Sequence, residues 1–233
     1  TANFVAEEYV TVSSSAGTEM ALIKSVVANT SITVYNLILN HTTTSPLVTA
    51  FCFVPSSDPT AIIQKGTKLK LTQTTAKYYA VTAVTSTLIK INPSLAYPTS
   101  AASITAMSYS NAASPFGWPD FFAYTPYLVG YSALPTGTYK YSISGLVVNW
   151  FTRESGSGTS NATTLTVSPP IVGDTSGGFA FVGTAQCLDN TAVVTVVCMV
   201  QLQTSTVLEV FTSFAGAGWT AAGGKRIAKG NLV

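Results

Sequence analysis

Hydrophobic and polar residues alternate in short runs along nearly the whole chain, and Pro, Gly, Ser, Asn and Asp separate the runs. Such alternation, rich in Thr, Val, Ile and aromatic residues, predicts half-buried β-strands, and no stretch of helical length shows a 3.6-residue period without β-branched runs. The predicted strands cover residues 10–14, 19–27, 32–39, 47–54, 65–71, 78–84, 87–91, 138–144, 146–151, 163–168, 178–186, 191–203 and 207–211. Regular strands with frequent turns predict an all-β protein made of β-sandwich or jelly-roll-like modules.

Changes in this pattern divide the chain into four predicted parts. Residues 1–60 are predicted to form an N-terminal β-sandwich. Residues 61–91 form a small β unit with too few strands for a core of its own, which should pack on a neighbour or on another copy. Residues 92–127 are predicted as a Pro- and aromatic-rich linker, and residues 128–233 as a C-terminal, jelly-roll-like β-sandwich.

The first strand of the small unit shows the clearest alternation of charged and apolar residues. Lys68 and Lys70 alternate with Leu69 and Leu71. Because successive side chains of a strand point to opposite faces, we expect both lysines on the outer face.

Aromatic side chains are concentrated in the predicted linker. Burial of one large aromatic ring contributes a few kcal/mol, so exposing this many rings to water would be costly. We expect them to fill a seam between the two halves of the chain or between subunits, while exposed rings would suit stacking on sugars or docking to another protein. The candidate interface residues are Phe116, Trp118, Phe121, Phe122, Tyr124, Tyr127, Trp150 and Trp219.

Charged residues make up only 9% of the 233-residue chain, and Thr and Ser take their place. A typical soluble domain carries about 25%. This composition argues against disorder and against coiled coils. The net charge of +2 without a basic block predicts no nucleic-acid partner. Charge is depleted in the cores of permanent interfaces, so the composition favours a subunit whose surface is covered by copies of itself.

The mean hydropathy of +0.37 raises the question of membrane insertion. A spanning helix needs about 20 mostly apolar residues. The longest apolar run, residues 193–200, is less than half of that length. The sequence therefore predicts no membrane insertion.

Few residues have the types and spacing that catalysis or metal binding requires. His41 is the only histidine and has no acidic neighbour in the sequence, so a structural role is favoured over a catalytic triad. Asp174 and Asp189 lie beside turn residues and are interpreted as turn formers rather than paired catalytic carboxylates. We therefore expect no enzymatic activity, cofactor or metal.

Three cysteines do not form the framework of a small disulfide-rich protein. Cys52 and Cys198 lie in apolar runs and are interpreted as small buried hydrophobic residues. A disulfide between Cys187 and Cys198 across a hairpin is an alternative that nothing in the sequence specifies.

Three stretches of the chain, taken in order, resemble virion proteins of tailed bacteriophages. Residues 16–30 resemble the opening β-sandwich of such proteins. Residues 65–82 resemble a small β insert in tail-fibre-like proteins, which is followed, as in residues 115–124 here, by a Pro-x-Gly-aromatic-Pro stretch rich in aromatic residues. Residues 158–167 and 219–225 look like the C-terminal β domain of these proteins.

The resemblance implies a non-enzymatic tail or head fibre-type spike in the virion. Members of the family are usually trimers with a distal β domain for attachment. The implied partners are further copies of the chain, with a trimer favoured, other virion proteins, and a glycan or protein of the host surface. The family has no catalytic residues to transfer to this sequence.

Other functions stay open from the sequence alone. The main alternative is an icosahedral capsid protein, because residues 32–54, followed by the turn at 55–58, resemble adjacent jelly-roll strands of small viral coat proteins. A basic arm for genome binding, usual in such coat proteins, is not seen before Lys65, since Lys24 is the only earlier basic residue. A capsule depolymerase and a bacterial surface adhesin domain are the remaining alternatives.

Overall fold

The computed structural model is all-β, as predicted. It describes residues 4–35, 37–41, 46–156, 158–176, 180–189, 192–193, 197–213, 219, 221 and 224–232. Within these ranges there is no helix, and hence none of a length and apolarity that would cross a membrane. The chain divides into two compact units. The first comprises residues 1–125 and 143–146, and the second comprises residues 126–142 and 147–233.

The first unit contains two antiparallel sheets. One has the strand order β3-β2-β1-β4 and the other the order β5-β8-β7-β6-β9. The strands of this unit are β1 (Tyr9–Ser14), β2 (Gly17–Val27), β3 (Ser31–Val34), β4 (Leu47–Ala50), β5 (Cys52–Phe53), β6 (Lys68–Thr72), β7 (Ala76–Val84), β8 (Ile89–Ile91), β9 (Ala106–Ser110) and β10 (Phe122–Ala123).

Alternating apolar side chains of β1 and β2 form the core of the four-stranded sheet. Val10 and Val12 of β1 pack with Ala21 and Ile23 of β2, and all four side chains are buried. Tyr9 is paired with Leu22 and Val10 with Ala21, which fixes the register of this hairpin. Because a shift of one residue would turn this apolar set to the other face, burial specifies the pairing strongly.

The strand β3 ends at Val34, although the pattern predicted a strand as far as residue 39. The buried carboxylate of Glu19 explains the difference. It accepts hydrogen bonds of 2.9 Å from the backbone N–H groups of both Ile38 and Leu39. These two donors are used by a side chain, so they do not continue a strand ladder.

The strand β6 lies between β7 and β9 in the five-stranded sheet. Leu69 and Leu71 are buried on one face and Lys70 is exposed on the other, as the alternation predicted. Lys68 lies on the same face as Lys70, as predicted, but it is only 2% exposed, so it does not face solvent. The residues after β9 cover it, a tertiary effect that alternation along one strand does not contain.

The second unit is built around one large sheet with the order β13-β14-β21-β17-β19-β20-β16-β11. In addition β12 pairs with β15, β15 with β21, and β18 with β17. The last two residues of β13 belong to the first unit. The strands are β11 (Leu128–Val129), β12 (Tyr131–Ala133), β13 (Gly137–Ser144), β14 (Val147–Glu154), β15 (Gly158–Ser160), β16 (Thr166–Val167), β17 (Ala180–Asp189), β18 (Ala192–Val193), β19 (Cys198–Thr204), β20 (Val207–Phe211) and β21 (Gly224–Leu232).

A buried carboxylate organises part of the second unit. Glu154, at the end of β14, is 2% exposed. Its Oε1 accepts a hydrogen bond of 2.8 Å from the hydroxyl of Tyr139, and its Oε2 one of 2.6 Å from the backbone N–H of Ile227. The hydroxyl of Tyr131 lies 3.5 Å from Oε2. A buried charge needs such donors, and these tie three strands to one side chain.

The predicted linker is not confirmed. Residues 92–127 contribute β9 and β10, and Phe122 and Tyr124 are buried in the first unit. The other predicted domain boundaries stay predictions. Cys52, Cys187 and Cys198 are all free; Cys198 is buried as expected, whereas Cys52 is half-buried.

Candidate binding groove

One face of the five-stranded sheet forms the floor of a groove in the first unit. Lys70 of β6 is paired with Tyr78 of β7 on one side and with Ser108 of β9 on the other, so these three residues share one face. Phe116 and Trp118, from the residues after β9, line the same groove. Its cavity volume is about 120 Å³. A sheet thus provides a fixed floor, and a single loop provides the wall.

A tight turn presents Phe116 to solvent. The N–H of Trp118 donates a 3.0 Å hydrogen bond to the carbonyl of Pro115, and Gly117 has a φ of 79°. This is the pattern of a type II turn, which favours glycine at its third position. A Cβ on Gly117 would lie 3.3 Å from the Tyr78 hydroxyl oxygen. The turn leaves the Phe116 ring fully exposed, although an apolar ring in water is unfavourable.

Lys68 holds the loop that carries this turn. Its ammonium donates to the carbonyls of Ala112, at 3.4 Å, and Ala113. It also lies 5.1 Å from the centre of the Trp118 ring, within cation–π range. Burial lowers the pKa of Lys68 because the charged form loses solvation.

Edge-to-face contacts between aromatic rings fix the groove from beneath. Trp118 packs at 87° to Tyr78 with ring centres 6.4 Å apart, and at 71° to Phe122 with centres 5.5 Å apart. Tyr97 contacts Tyr78 and Phe122 in the same manner. Aromatic pairs of this geometry contribute about 0.5–1.5 kcal/mol beyond burial. The ring of Trp118 is therefore held by neighbours before any ligand arrives.

The aromatic residues singled out from the sequence divide into exposed and buried groups. Phe116 and Phe121 are exposed, Trp118 and Tyr127 are half-buried, and Phe122 and Tyr124 are buried. Trp150 and Trp219 are also buried, and the indole N–H of Trp219 donates a 2.6 Å hydrogen bond to the carbonyl of Val210. Only Phe116 and Trp118 of this set line the groove. That the eight aromatic residues fill a seam between halves of the chain or between subunits stays a prediction.

Sequence reasoning missed Tyr78, Lys70 and Ser108 as groove residues. Their shared face follows from the pairing of β6 with both β7 and β9. β9 escaped prediction because three of its five residues are Ala or Ser, which are weak strand formers. The alternation of Met107 and Tyr109 was the one available signal.

His41 has an acidic partner that its sequence neighbours did not indicate. Its Nε2 lies 2.9 Å from Glu19 Oε1, and its Nδ1 lies 2.7 Å from Ser14 Oγ. Serine, histidine and carboxylate are thus hydrogen-bonded in the same succession as in a catalytic triad. Triad chemistry also needs oxyanion donors beside the nucleophile. The Ala16 N–H donates to Ser14 Oγ itself, at 3.1 Å. The bonds therefore fasten the loop at 37–41 to the β1–β2 hairpin.

Asp174, a further candidate catalytic group, is also tied to local structure. Asp174 Oδ1 accepts a 2.8 Å hydrogen bond from the N–H of Ser176, which is a turn contact. In the ranges given above, no three His, Cys, Asp or Glu side chains group together as metal ligands would. The expectation that the chain is not an enzyme stays a prediction.

Comparison with protein-family models, with curated proteins and with solved structures gives no match. The case for a function therefore rests on the groove and on the sequence pattern.

Proposed function

We propose that the chain is a non-enzymatic structural protein of a bacteriophage virion. In this proposal it is a subunit of a fibre or spike that attaches the particle to its host, and the groove of the first unit binds a saccharide of the host surface. The fully exposed Phe116 ring, held at the tip of a glycine-containing turn beside Trp118, carries the proposal. The sequence resemblance to tail-fibre-like proteins supports the virion context.

The chemistry of the groove suits a sugar. Aromatic ring faces pack against the C–H face of a sugar ring, while hydroxyl and ammonium groups reach its oxygen atoms. Phe116 and Trp118 supply the rings, and Ser108 and Lys70 supply the polar groups. Closed pockets for small molecules measure about 300–1,000 Å³. A cavity of about 120 Å³ fits one residue of an extended chain lying across the surface better than an enclosed cofactor.

An icosahedral capsid protein stays the alternative function. It is supported by the resemblance of residues 32–54 to adjacent jelly-roll strands and by the low charge of the chain. In the structure β3 and β4, which lie within this segment, are at opposite edges of the four-stranded sheet. We propose attachment because of the exposed ring in the groove.

The proposal predicts that Phe116→Ala weakens binding to bacterial surface polysaccharides by roughly five- to tenfold, because one stacking contact is lost. Binding of the full chain to an immobilised panel of such polysaccharides measures the effect. Phe121→Ala is the matched control, since Phe121 is also exposed in the first unit but does not line the groove. Equal loss in both variants, or no polysaccharide bound at all, would refute the proposed function.

A further inference from the structure

We infer that the groove selects saccharides that carry an anionic group, a carboxylate or a sulfate. This inference rests on the proposed function, which assigns a surface saccharide to the groove. It adds the chemical class of that saccharide.

The charges around the groove have one sign. Lys68 and Lys70 both line it, and no Asp or Glu is among its lining residues. In a chain with only 9% charged residues, two lysines in one groove form a local concentration of positive charge. Charge of one sign in a concave, partly apolar site attracts a ligand of the opposite sign.

The two lysines have different roles. The Lys68 ammonium is buried against loop carbonyls and the Trp118 ring, so it shapes the groove. Lys70 is exposed, and its Nζ lies 5.7 Å from the centre of the Tyr78 ring. The ammonium thus lies over the Tyr78 ring, within cation–π range, on an exposed side chain. Lys70 is therefore the group that an anionic substituent would meet.

Lys70 and the exposed ring of Phe116 are placed so that one sugar ring can contact both. Phe116 and Lys70 line the same small cavity. A sugar ring stacked on Phe116 thus brings a substituent of that same ring towards the Lys70 ammonium. A neutral sugar keeps the stacking contact and loses only the charge contact.

The test uses sodium D-glucuronate and its neutral methyl ester as probes, with sodium glucose 6-sulfate as the sulfate arm. Each is titrated into the full chain at up to about 100 mM, and amide chemical shifts report binding. We expect glucuronate to bind roughly two- to fivefold more tightly than the ester, the range for an exposed ion pair. This preference should shrink as NaCl is raised, since salt screens the pair.

Lys70→Gln should abolish the preference, so that glucuronate and the ester bind with equal affinity. Lys65→Gln is the matched control, because Lys65 is exposed in the first unit outside the groove. If the ester binds as tightly as glucuronate and both require Phe116, the anionic inference fails and the proposed function stands. If no probe shifts groove amides, or Phe116→Ala leaves the shifts unchanged, the proposed function fails together with the inference. A preference for the sulfate over the carboxylate identifies the anion and supports the inference.

Discussion

Two buried carboxylates, those of Glu19 and Glu154, hold parts of the backbone in place by accepting its hydrogen bonds. Glu19 accepts hydrogen bonds from two backbone N–H groups and contacts His41. Glu154 accepts hydrogen bonds from a backbone N–H and from a tyrosine hydroxyl. Removing one partner of a buried hydrogen bond costs about 1–3 kcal/mol, because the other partner is left without water. The sequence pattern placed Glu19 in a strand and Glu154 beyond the end of one, and it indicated neither role, since the donors they meet are far away along the chain.

The tyrosines beside Glu154 make the stability sensitive to high pH. Burial, and then the negative charge of Glu154, raise the pKa of Tyr139 well above its ordinary value. Above about pH 10 this tyrosine loses its proton in the unfolded chain but keeps it in the folded protein. The unfolded state then binds fewer protons, so the free energy of unfolding falls as the pH rises.

Tyr139→Phe removes this titrating group. We expect the variant to be about 1 kcal/mol less stable at neutral pH, since the hydrogen bond to Glu154 is lost. Above pH 10 its deficit should shrink by up to about 1.4 kcal/mol per pH unit. Urea unfolding between pH 7 and 11.5 measures both effects. Parallel stability curves for the two proteins would contradict the assigned cause.

Among the secondary-structure elements, the turn at 115–118 has the most direct bearing on function. Gly117→Ala places a side chain at a φ of 79° and within 3.3 Å of the Tyr78 hydroxyl oxygen. We expect a loss of about 1–2 kcal/mol in stability and several-fold weaker saccharide binding. Gly145→Ala is the control, because Gly145 has a φ of 58° but open space around it. The Gly145→Ala variant should lose stability without losing saccharide binding. Equal saccharide binding by the two variants would show that the turn does not contribute to binding.

Strands with a strong local pattern were predicted well, and those that depend on distant partners were not. The range of β20 was predicted to the residue, and β2 was found within two residues of its predicted start. β9 was missed for lack of strand-forming residues. The strand β21 was not among the predicted strands, yet it lies between β14 and β17. Its two neighbours begin about 80 and 40 residues earlier, a distance over which periodicity carries no information.

At the scale of the whole molecule, the chain is distinguished by its scarcity of charge, with 9% charged residues. Exposed apolar side chains outside the groove accompany it in the structure, among them Ile38, Val54, Ile62 and Met107. Permanent interfaces are depleted in charge and rich in such side chains. We therefore keep the proposal that copies of the chain associate, and the resemblance favours three.

Sedimentation equilibrium of the full chain tests this proposal. We expect a mass three times that of one chain, unchanged over a hundredfold dilution. Three linked groove sites would then raise the avidity for a repetitive surface glycan by orders of magnitude over a single site. A monodisperse monomer would remove the trimer from the account and leave the groove as a single weak site.

The central claim is that the groove of the first unit binds a surface saccharide. A structure of the full chain determined with sodium D-glucuronate tests it most directly. We predict a sugar ring stacked on Phe116, with its carboxylate within about 4 Å of the Lys70 ammonium. A sugar bound elsewhere on the chain, with this groove empty at saturating concentration, would contradict it.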